Sequence, residues 1–521
     1  MSPSTQLATL RVLTGPIAVN RARLRCYTEP GLSKKRILHN TLIVMAGTLA
    51  SRVLGVVRQG VLNNFFDKAI TDAFLVAYRV PNLFREILAE GAVTNALIPV
   101  LAEVPEAERE SFKRCFAAFL LGLNLLVVGL GILFAPQLAA LLLAADTQLD
   151  PALVTYLIRL VMPFLLAISM AALFGAFLQS EERFWGPSFA PLAFNAGAIA
   201  VMLLWPGSAT ALALAYVLGG FLQAGVQVPA LRGFGLEFGW HPAIGKAALL
   251  MTPFVFTTST RQFLTVVLYA LLTSMPLGAA TGFSNADMTY LMALGLFSVS
   301  PALALYPRLS AHAAAGETAA YTRLLDGGLA RVAVLLGWAS ALMVGLAPWV
   351  VAVLFAWKRS FDMQVFAYSA EAMQALGLAL LPWGLYNLYV RGLYARQQIW
   401  RAVKISVALF LLNTLGYYLL VGGGMFYLNL ATVIAGVLGL AWMIWIYQRD
   451  GLLSAASQLG LLLRVALAAL AAGYLGYLAA GLVGPARDLA TSLIPLLAGS
   501  LAASVVYFGA AWLLRLPLKL R

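Results

Sequence analysis

The chain has 521 residues, of which 61% are hydrophobic and only 11% are charged, and its formal net charge is +14. A soluble globular protein carries about 25% charged residues, so the composition excludes a soluble enzyme and indicates an integral membrane protein. The excess of Lys and Arg does not require nucleic acid as a partner, because the loop cations of membrane proteins follow the positive-inside rule.

The first 37 residues form a polar, basic segment that ends in Lys34-Lys35-Arg36. The apolar stretch that follows has the length of a full membrane span and no small-residue cleavage site, so it is not a secretory signal peptide. We therefore predict that residues 1–37 are a cytoplasmic N-terminal extension.

Fourteen stretches are long and apolar enough to cross a membrane, which takes about 20 residues. In chain order, spans 1 to 14 are 38–65, 71–103, 113–143, 151–180, 186–205, 209–230, 246–275, 283–313, 327–355, 367–396, 401–421, 427–448, 457–483 and 489–515. The predicted fold class is an all-α polytopic membrane protein.

Loop charges predict the orientation of these spans. With the N-terminus inside, the loop and tail cations fall on the inner side except for Lys68, Lys358, Arg359 and Arg487. This asymmetry predicts a multi-pass protein of the bacterial plasma membrane with both termini in the cytoplasm.

A weak internal repeat relates the turn after span 4 to the turn after span 10. Residues 175–195 read GAFLQSEERFWGPSFAPLAFN, and residues 392–413 read GLYARQQIWRAVKISVALFLLN. The repeat predicts two six-helix lobes, 38–230 and 246–448, followed by two extra spans in 457–515. Transporters built from repeats place their site between the lobes near the membrane midplane. Chance similarity between apolar segments is the alternative explanation.

Several arginines lie deep within predicted spans, where an ionisable group costs at least ~2.5–3.5 kcal/mol. The helical rise places Arg52 roughly 18 Å, Arg85 about 21 Å and Arg261 about 22 Å into a core about 30 Å thick. Guanidinium stays charged when desolvated and matches the geometry of phosphate oxygens. We therefore predict an anionic ligand bound by Arg52, Arg58, Arg85 and Arg261.

Two explanations that involve no ligand compete with a ligand-binding role for these arginines. Snorkelling of the long side chain to the interface accounts for Arg159 and Arg391, which lie near span ends. Internal pairing is the other explanation, and it would join Arg79 to Asp72, or Arg85 to an acid of its own helix.

The acids of span 2 are assigned gating or structural roles. Glu86 and Glu90 are spaced i, i+4 and share one helix face, so the adjacent Arg85 is expected to point elsewhere. Asp72, in the first outer turn, has the same gating or structural assignment.

Catalytic and metal-binding patterns are missing from the sequence. The three histidines, His39, His241 and His312, all lie near predicted cytoplasmic span ends. We find no metal cluster, nucleophile triad or P-loop, and we predict a protein that is not an enzyme and needs no cofactor or metal. A membrane enzyme is therefore the weakest interpretation.

Five strings give the chain a specific resemblance to a known family. They are SRVLGVVRQ (51–59), TDAFLVAYRVPNLFREILAEGAVTNALIPVLAE (71–103), RFWGPSFAPLAFN (183–195), LYPRLS (305–310) and LYARQQIWRAVKI (393–405). The chain resembles the MurJ (MviN) family, lipid II flippases of the multidrug/oligosaccharidyl-lipid/polysaccharide (MOP) exporter superfamily, over its whole length.

The resemblance implies two lobes in a V-shape, a central cationic cavity, and a groove beside spans 13 and 14 for a polyprenyl tail. It implies alternating access and a lipid-linked peptidoglycan precursor with a pyrophosphate head as substrate, in cell wall biogenesis and cell shape. The family's cavity arginines match Arg52, Arg58 and Arg85, and its first outer Asp matches Asp72. Lipid II, membrane lipids and cell-wall synthesis proteins are the implied partners.

The chain departs from the family pattern at span 8. The family's Ala-Asp-Arg motif reads Ala286-Asp287-Met288 here, so its cavity arginine is absent. We predict that Arg261 on span 7 replaces it and that Asp287 has a gating or structural role. A sodium site of some members also looks absent, which favours coupling to membrane potential alone.

Two further interpretations remain open. One is another MOP-type exporter, for polyprenyl-linked polysaccharides or drugs. The other is a membrane scaffold that keeps the fold without transport and would tolerate Arg52→Ala and Arg85→Ala.

Overall fold

The computed structural model describes residues 34–88, 92–231 and 234–517, without the side chains of 34–41, 87–88, 92, 94–96 and 253–261. Within these residues every regular element is helical. Several spans consist of two helices, because a break or proline interrupts them.

The first six spans consist of nine helices. These are Lys34–Phe65 in span 1, Lys68–Leu88 and Ala92–Glu103 in span 2, Arg109–Leu133 and Ala135–Leu142 in span 3, Pro151–Val161 and Pro163–Ser180 in span 4, Trp185–Leu204 in span 5, and Ala209–Gly225 in span 6. Short 3-10 turns, Glu106–Glu108 and Val228–Ala230, precede span 3 and follow span 6.

The remaining spans begin with the long helix Pro242–Leu272 of span 7. They continue as Ala279–Leu294, a π-helical turn Gly295–Val299 and Ser300–Ala314 in span 8, Thr318–Gly345 and Ala347–Phe355 in span 9, Met363–Ala395 in span 10, Ile399–Leu420 in span 11, the 3-10 turn Val421–Gly423, Met425–Arg449 in span 12, Ala455–Val483 in span 13, and Leu489–Leu513 in span 14.

Local sequence explains where several of these helices begin. Side-chain oxygens cap the first backbone N–H groups, which have no partner within a helix. The capping residues are Asp150, Ser208, Asp362, Ser454 and Asp488. Proline, which lacks an N–H group, occupies the first helical position in Pro151–Val161 and Pro242–Leu272.

The all-α polytopic fold class is confirmed. In the described part of the chain, 12 helices are long and apolar enough to cross a membrane. They correspond to every predicted span except 2 and 7, and those two spans are also helical where they are described.

The turns after spans 4 and 10 have the same backbone geometry. Glu182 (φ 59°) and Gln397 (φ 60°) both lie in the left-handed region. The N–H of Arg183 bonds to the Leu178 carbonyl at 2.8 Å, and the N–H of Gln398 bonds to the Leu393 carbonyl at 2.9 Å. The same bond with a left-handed residue also ends three other helices, at Gly316, Gly451 and Arg515. It is therefore a common helix C-terminal turn and leaves the predicted repeat a prediction.

Spans 9 and 13 cross at very close range through glycines. A Cβ at Gly345 would lie 2.3 Å from the backbone carbonyl oxygen of Gly473. Backbone cannot move aside as a flexible side chain can, so this crossing needs a residue without a Cβ. Small residues allow such close helix packing in membranes.

We expect Gly345→Ala to destabilise the protein by about 1–3 kcal/mol, the usual cost of overpacking. Thermal unfolding of the purified protein measures this loss. Gly481→Ala is the matched control, because a Cβ at Gly481 on span 13 would meet nothing within 4 Å. Equal melting temperatures for the two variants would contradict the close crossing.

Candidate functional site

Arg58 is held against two aromatic rings within the first six spans. Its guanidinium carbon lies 4.9 Å from the ring centre of Phe194 on span 5 and 4.8 Å from that of Tyr216 on span 6. Its Nε is buried and makes no hydrogen bond in the described structure. Stacking fixes a cation in place while leaving its N–H groups able to meet an acceptor.

Arg79 is held in the same way, by a residue of span 7. Its guanidinium carbon lies 3.7 Å from the ring centre of Tyr269, and its Nε is also buried without a hydrogen-bond partner. The pairing of Arg79 with Asp72 that we weighed from the sequence does not form, since Asp72 is bonded to the start of span 8.

Arg85 belongs to a polar network that includes its own neighbour. Its Nε donates to Asn82 Oδ1 at 3.0 Å, and its Nη2 lies 3.4 Å from Glu86 Oε1. Glu86 also accepts hydrogen bonds from Asn82 and from Gln262 of span 7. The expectation that Arg85 points away from Glu86 is wrong, because the long arginine side chain bends back to the shared Asn82.

Arg52 lies on a different face of span 1 and contacts span 8. Its Nη1 donates to the Met292 carbonyl at 3.4 Å. A Cβ at Gly295, the first residue of the π-helical turn, would lie 2.9 Å from Arg52 Nη2, so the guanidinium occupies space that only glycine leaves free. The residue is exposed although it lies at mid-span, which is consistent with a wet cavity.

The structure brings three of the deep arginines together around Tyr78 of span 2. The Tyr78 hydroxyl lies within electrostatic range of Arg58, Arg79 and Arg85. Its ring packs edge-on against Tyr216, with 5.1 Å between centres. Arg58 and Arg79 make no ion pair among the described residues, so a positive field remains at this point.

Three further predicted site residues are Glu90, Arg261 and Asp287. Glu90 lies outside the described residues, and so does the side chain of Arg261, although its backbone continues the helix of span 7. Asp287 is partly buried and lies within electrostatic range of the hydroxyls of Tyr269 and Tyr417.

Asp72 joins span 2 to the start of span 8 on the predicted outer side. Its carboxylate accepts hydrogen bonds from the Gly278 N–H at 2.7 Å, the Thr281 N–H at 2.8 Å and the Thr281 hydroxyl at 2.5 Å. The side chain is buried, and the acceptor sits where a helix N-terminus favours negative charge. Asp72 therefore acts as a cap supplied from the other half of the chain.

Spans 1 and 8 run antiparallel along a seam that continues inwards from this cap. Asn285, fully buried, accepts hydrogen bonds from Gln59 at 2.9 Å and Asn63 at 2.8 Å. Further towards the predicted inner side, Met288 packs against Gly55. The Met288 Cε lies 3.2 Å from the position that a Cβ added to Gly55 would occupy. The residue that stands in place of the family arginine therefore fills the span 1 interface.

The outer ends of the two halves make additional polar contacts. Lys68 Nζ lies 2.9 Å from Asp362 Oδ2, and Asn64 accepts hydrogen bonds from the N–H groups of Trp357 and Lys358. Together with the Asp72 cap, these contacts close the predicted outer side.

An apolar groove of about 570 Å³ opens between spans 9, 10 and 13. Its walls include Val344, Leu378, Leu470 and Tyr474, with Gln374 as a polar exception. The resemblance to the MurJ family implies a tail groove beside spans 13 and 14, whereas this groove is formed by span 13 with spans 9 and 10.

Sequence reasoning missed Arg79 and the aromatic residues that hold the arginines. Tyr78, Phe194 and Tyr216 are apolar enough to read as ordinary span residues, and only their spatial approach to Arg58 reveals their role. The sequence signal for Arg79 was its position directly after Tyr78, in a span that carries several other charged residues.

The helical bundle shares its fold with solved membrane transporters. A structure described as the inward-facing conformation of a multidrug resistance MATE family transporter of the MOP superfamily has a TM-score of 0.63 at 12% identity, covering 77% of this chain and 95% of its own. A structure described as lipid II flippase MurJ in an inward closed conformation has a TM-score of 0.74 at 19% identity, covering 91% of this chain and 99% of its own.

Sequence comparison identifies the family. The family model for lipid II flippase MurJ matches residues 61–490. Lipid II flippase MurJ of Burkholderia cenocepacia is 31% identical over 408 residues, which cover 74% of this chain and 78% of that protein. The chain belongs to the MurJ family, and it is a multi-pass membrane protein.

Proposed function

We propose that this protein is a lipid II flippase of the bacterial plasma membrane, with both termini in the cytoplasm. The observation that carries the proposal is that Arg58 and Arg79, in a member of this family, lie deep between spans without an ion pair in the described structure. A pyrophosphate group supplies acceptor oxygens to which the N–H groups of such guanidinium groups donate in a matching fork geometry.

In this proposal the head group of lipid II enters from the cytoplasmic side and binds near Tyr78. Arg58, Arg79 and Arg85 bind the pyrophosphate, with Arg52 at the span 8 seam and Arg261 as further candidates. The contacts at Asp72 and Asn285 then have to open while the cytoplasmic side closes. Translocation needs no covalent step, so no catalytic residue, metal or cofactor is assigned.

The apolar groove of spans 9, 10 and 13 is a suitable place for the polyprenyl tail. It is lined mainly by aliphatic and aromatic side chains. A tail held there stays in an apolar environment while its head crosses between the lobes, 38–230 and 246–448. Membrane lipids and cell-wall synthesis proteins are the further partners in this proposal.

We expect the wild-type protein to restore growth of cells depleted of their own lipid II flippase, and Arg85→Ala to abolish that rescue at equal membrane levels. Removing Arg85 takes away a cation and also leaves Glu86 with less compensation, so the positive charge of the site falls. Arg261→Ala in the same assay tests whether Arg261 replaces the arginine missing at Met288.

If Arg261→Ala still restores growth, the flippase proposal is retained, and the hypothesis that Arg261 replaces the missing arginine is rejected. A well-expressed wild-type protein that fails to rescue would favour another exporter of the superfamily. The scaffold that does not transport also predicts no rescue by wild type. Rescue by wild type and Arg85→Ala alike would remove Arg85 from the proposed binding site.

A further inference from the structure

Each half of the chain has a cavity at its predicted cytoplasmic end, bounded by equivalent elements. In the first half these are the start of span 3, the turn after span 4 and the chain after span 6, represented by Lys113, Glu181 and Leu231. In the second half they are the start of span 9, the turn after span 10 and the chain after span 12, represented by Tyr321, Arg396 and Leu452.

The cavity of the first half is filled by its own chain. Only about 20 Å³ remains, because the segment after span 6 packs into it. Phe234 of this segment packs edge-on against Phe174, with 4.9 Å between ring centres. The Arg183 guanidinium donates to the Ala230 carbonyl, which holds the start of the segment in place.

The cavity of the second half remains open. It has a volume of about 680 Å³, within the range of small-molecule sites. The chain after span 12 contributes Leu452 to its lining and does not enter it as the Phe234 segment enters the first cavity. The corresponding cavity is thus filled by the chain itself in the first half and open in the second half.

The lining of the open cavity suits an anion with hydrogen-bonding oxygens. It contains the side chains of Tyr306, Ser310, Thr318 and Arg396, and no described Asp or Glu lines it. The Ser310 Oγ is buried and has no hydrogen-bond partner in the described structure. A buried hydroxyl without a partner is costly, and a ligand oxygen would satisfy it.

Arg391 adds an unpaired cation beside this lining. It is partly buried near the hydroxyls of Tyr306 and Tyr394, and its Nε is buried without a hydrogen-bond partner. The neighbouring acids are already engaged, since Asp450 pairs with Arg396 at 2.8 Å and Glu317 contacts His312 at 2.6 Å.

We propose that the cavity between spans 8, 9 and 10 binds a phosphate-bearing ligand at the cytoplasmic face, separately from the central arginines. The ligand phosphate takes the place that the Phe234 segment fills in the first half, and it meets Arg391 and Ser310. An anionic phospholipid headgroup and a soluble phosphate compound both supply this chemistry. The proposal does not depend on lipid II being the transported substrate.

The test uses the full-length protein. Native mass spectrometry compares binding of phosphatidylglycerol with phosphatidylcholine, and thermal unfolding compares sodium phosphate with sodium chloride at equal ionic strength. We expect a preference for at least one of the two phosphate probes over its control. Preference for phosphatidylglycerol identifies a lipid source, and stabilisation by phosphate identifies a soluble one.

The variants distinguish this site from other cationic surfaces. Arg391→Gln removes the cation, and Ser310→Phe fills the cavity. We expect each variant to weaken binding of the phosphate probe at least tenfold. Arg308→Gln, at an exposed arginine of span 8, should bind as wild type does. The proposal is overturned by equal binding of probe and control in the wild type, or by binding that survives both Arg391→Gln and Ser310→Phe.

Discussion

Arg58→Gln should weaken the affinity for lipid II by about ten- to a hundredfold. A hydrogen bond to a charged group contributes about 1.5–3 kcal/mol, and each 1.4 kcal/mol is a factor of about ten in affinity. The rings of Phe194 and Tyr216 hold the guanidinium, and its Nε has no hydrogen-bond partner in the described structure. Removing the guanidinium therefore weakens ligand binding and breaks no hydrogen bond of that Nε within the protein. Binding to the purified protein in lipid nanodiscs measures the change.

Arg58→Lys should have an intermediate affinity. Lysine keeps the positive charge and loses the planar fork that both stacks on rings and pairs with two oxygens. Arg159→Gln is the control, because Arg159 is an exposed arginine of span 4 outside the Tyr78 cluster. If Arg58→Gln lowers the melting temperature and leaves lipid II affinity unchanged, Arg58 is structural and the proposed binding role fails.

The sequence predicts the membrane architecture well because hydropathy and loop charge are local properties. Twelve of the predicted spans are recognised as span-length apolar helices in the described structure. Helical rise places Arg52, Arg85 and Arg261 at one level. It does not single out Arg58, which the structure brings close to Tyr78 together with Arg85.

The sequence does not predict which face of a helix each arginine uses. Arg52 and Arg58 differ by six positions and therefore point to different neighbours, span 8 and spans 5 and 6 respectively. Only the packing of the helices determines those neighbours. Arg79 was set aside as an ion-pair candidate for the same reason, because its partner ring comes from span 7.

Hydrogen bonds between distant segments were equally inaccessible from the sequence. Asp72 and Thr281 are 209 positions apart, and no local pattern links a carboxylate in one turn with the backbone at the start of another span. The resemblance to the MurJ family marks Asp72 as a residue of interest. The structure supplies the contact that gives it a physical role.

Asp72→Ala should shift the protein towards a state that is open on the predicted outer side. The carboxylate accepts two backbone N–H bonds and one hydroxyl bond from Gly278 and Thr281 across the seam between the halves. A hydrogen bond to a charged group contributes about 1.5–3 kcal/mol, and Asp72→Ala removes all of these bonds. A loss of about 3 kcal/mol changes the ratio of closed to open molecules by about a hundredfold, which is enough to alter the populated state.

Distances between spin labels at two exposed outer positions measure this shift. Asp146→Cys and Arg359→Cys, in a background without Cys26 and Cys115, place one label on each half. We expect Asp72→Ala to add a longer-distance population that the parent lacks.

Asp67→Ala is the control for a nearby outer carboxylate with a purely local role. Asp67 is exposed and bonds only to the N–H of Ala69 two residues on, so its removal should leave the label distances unchanged. A folded Asp72→Ala protein with the parent's distances would mean that Asn285 and the Lys68–Asp362 pair hold the outer side closed on their own. Closure would then be distributed along the whole seam between spans 1 and 8, and Asp72 would serve as a cap for span 8 without controlling access.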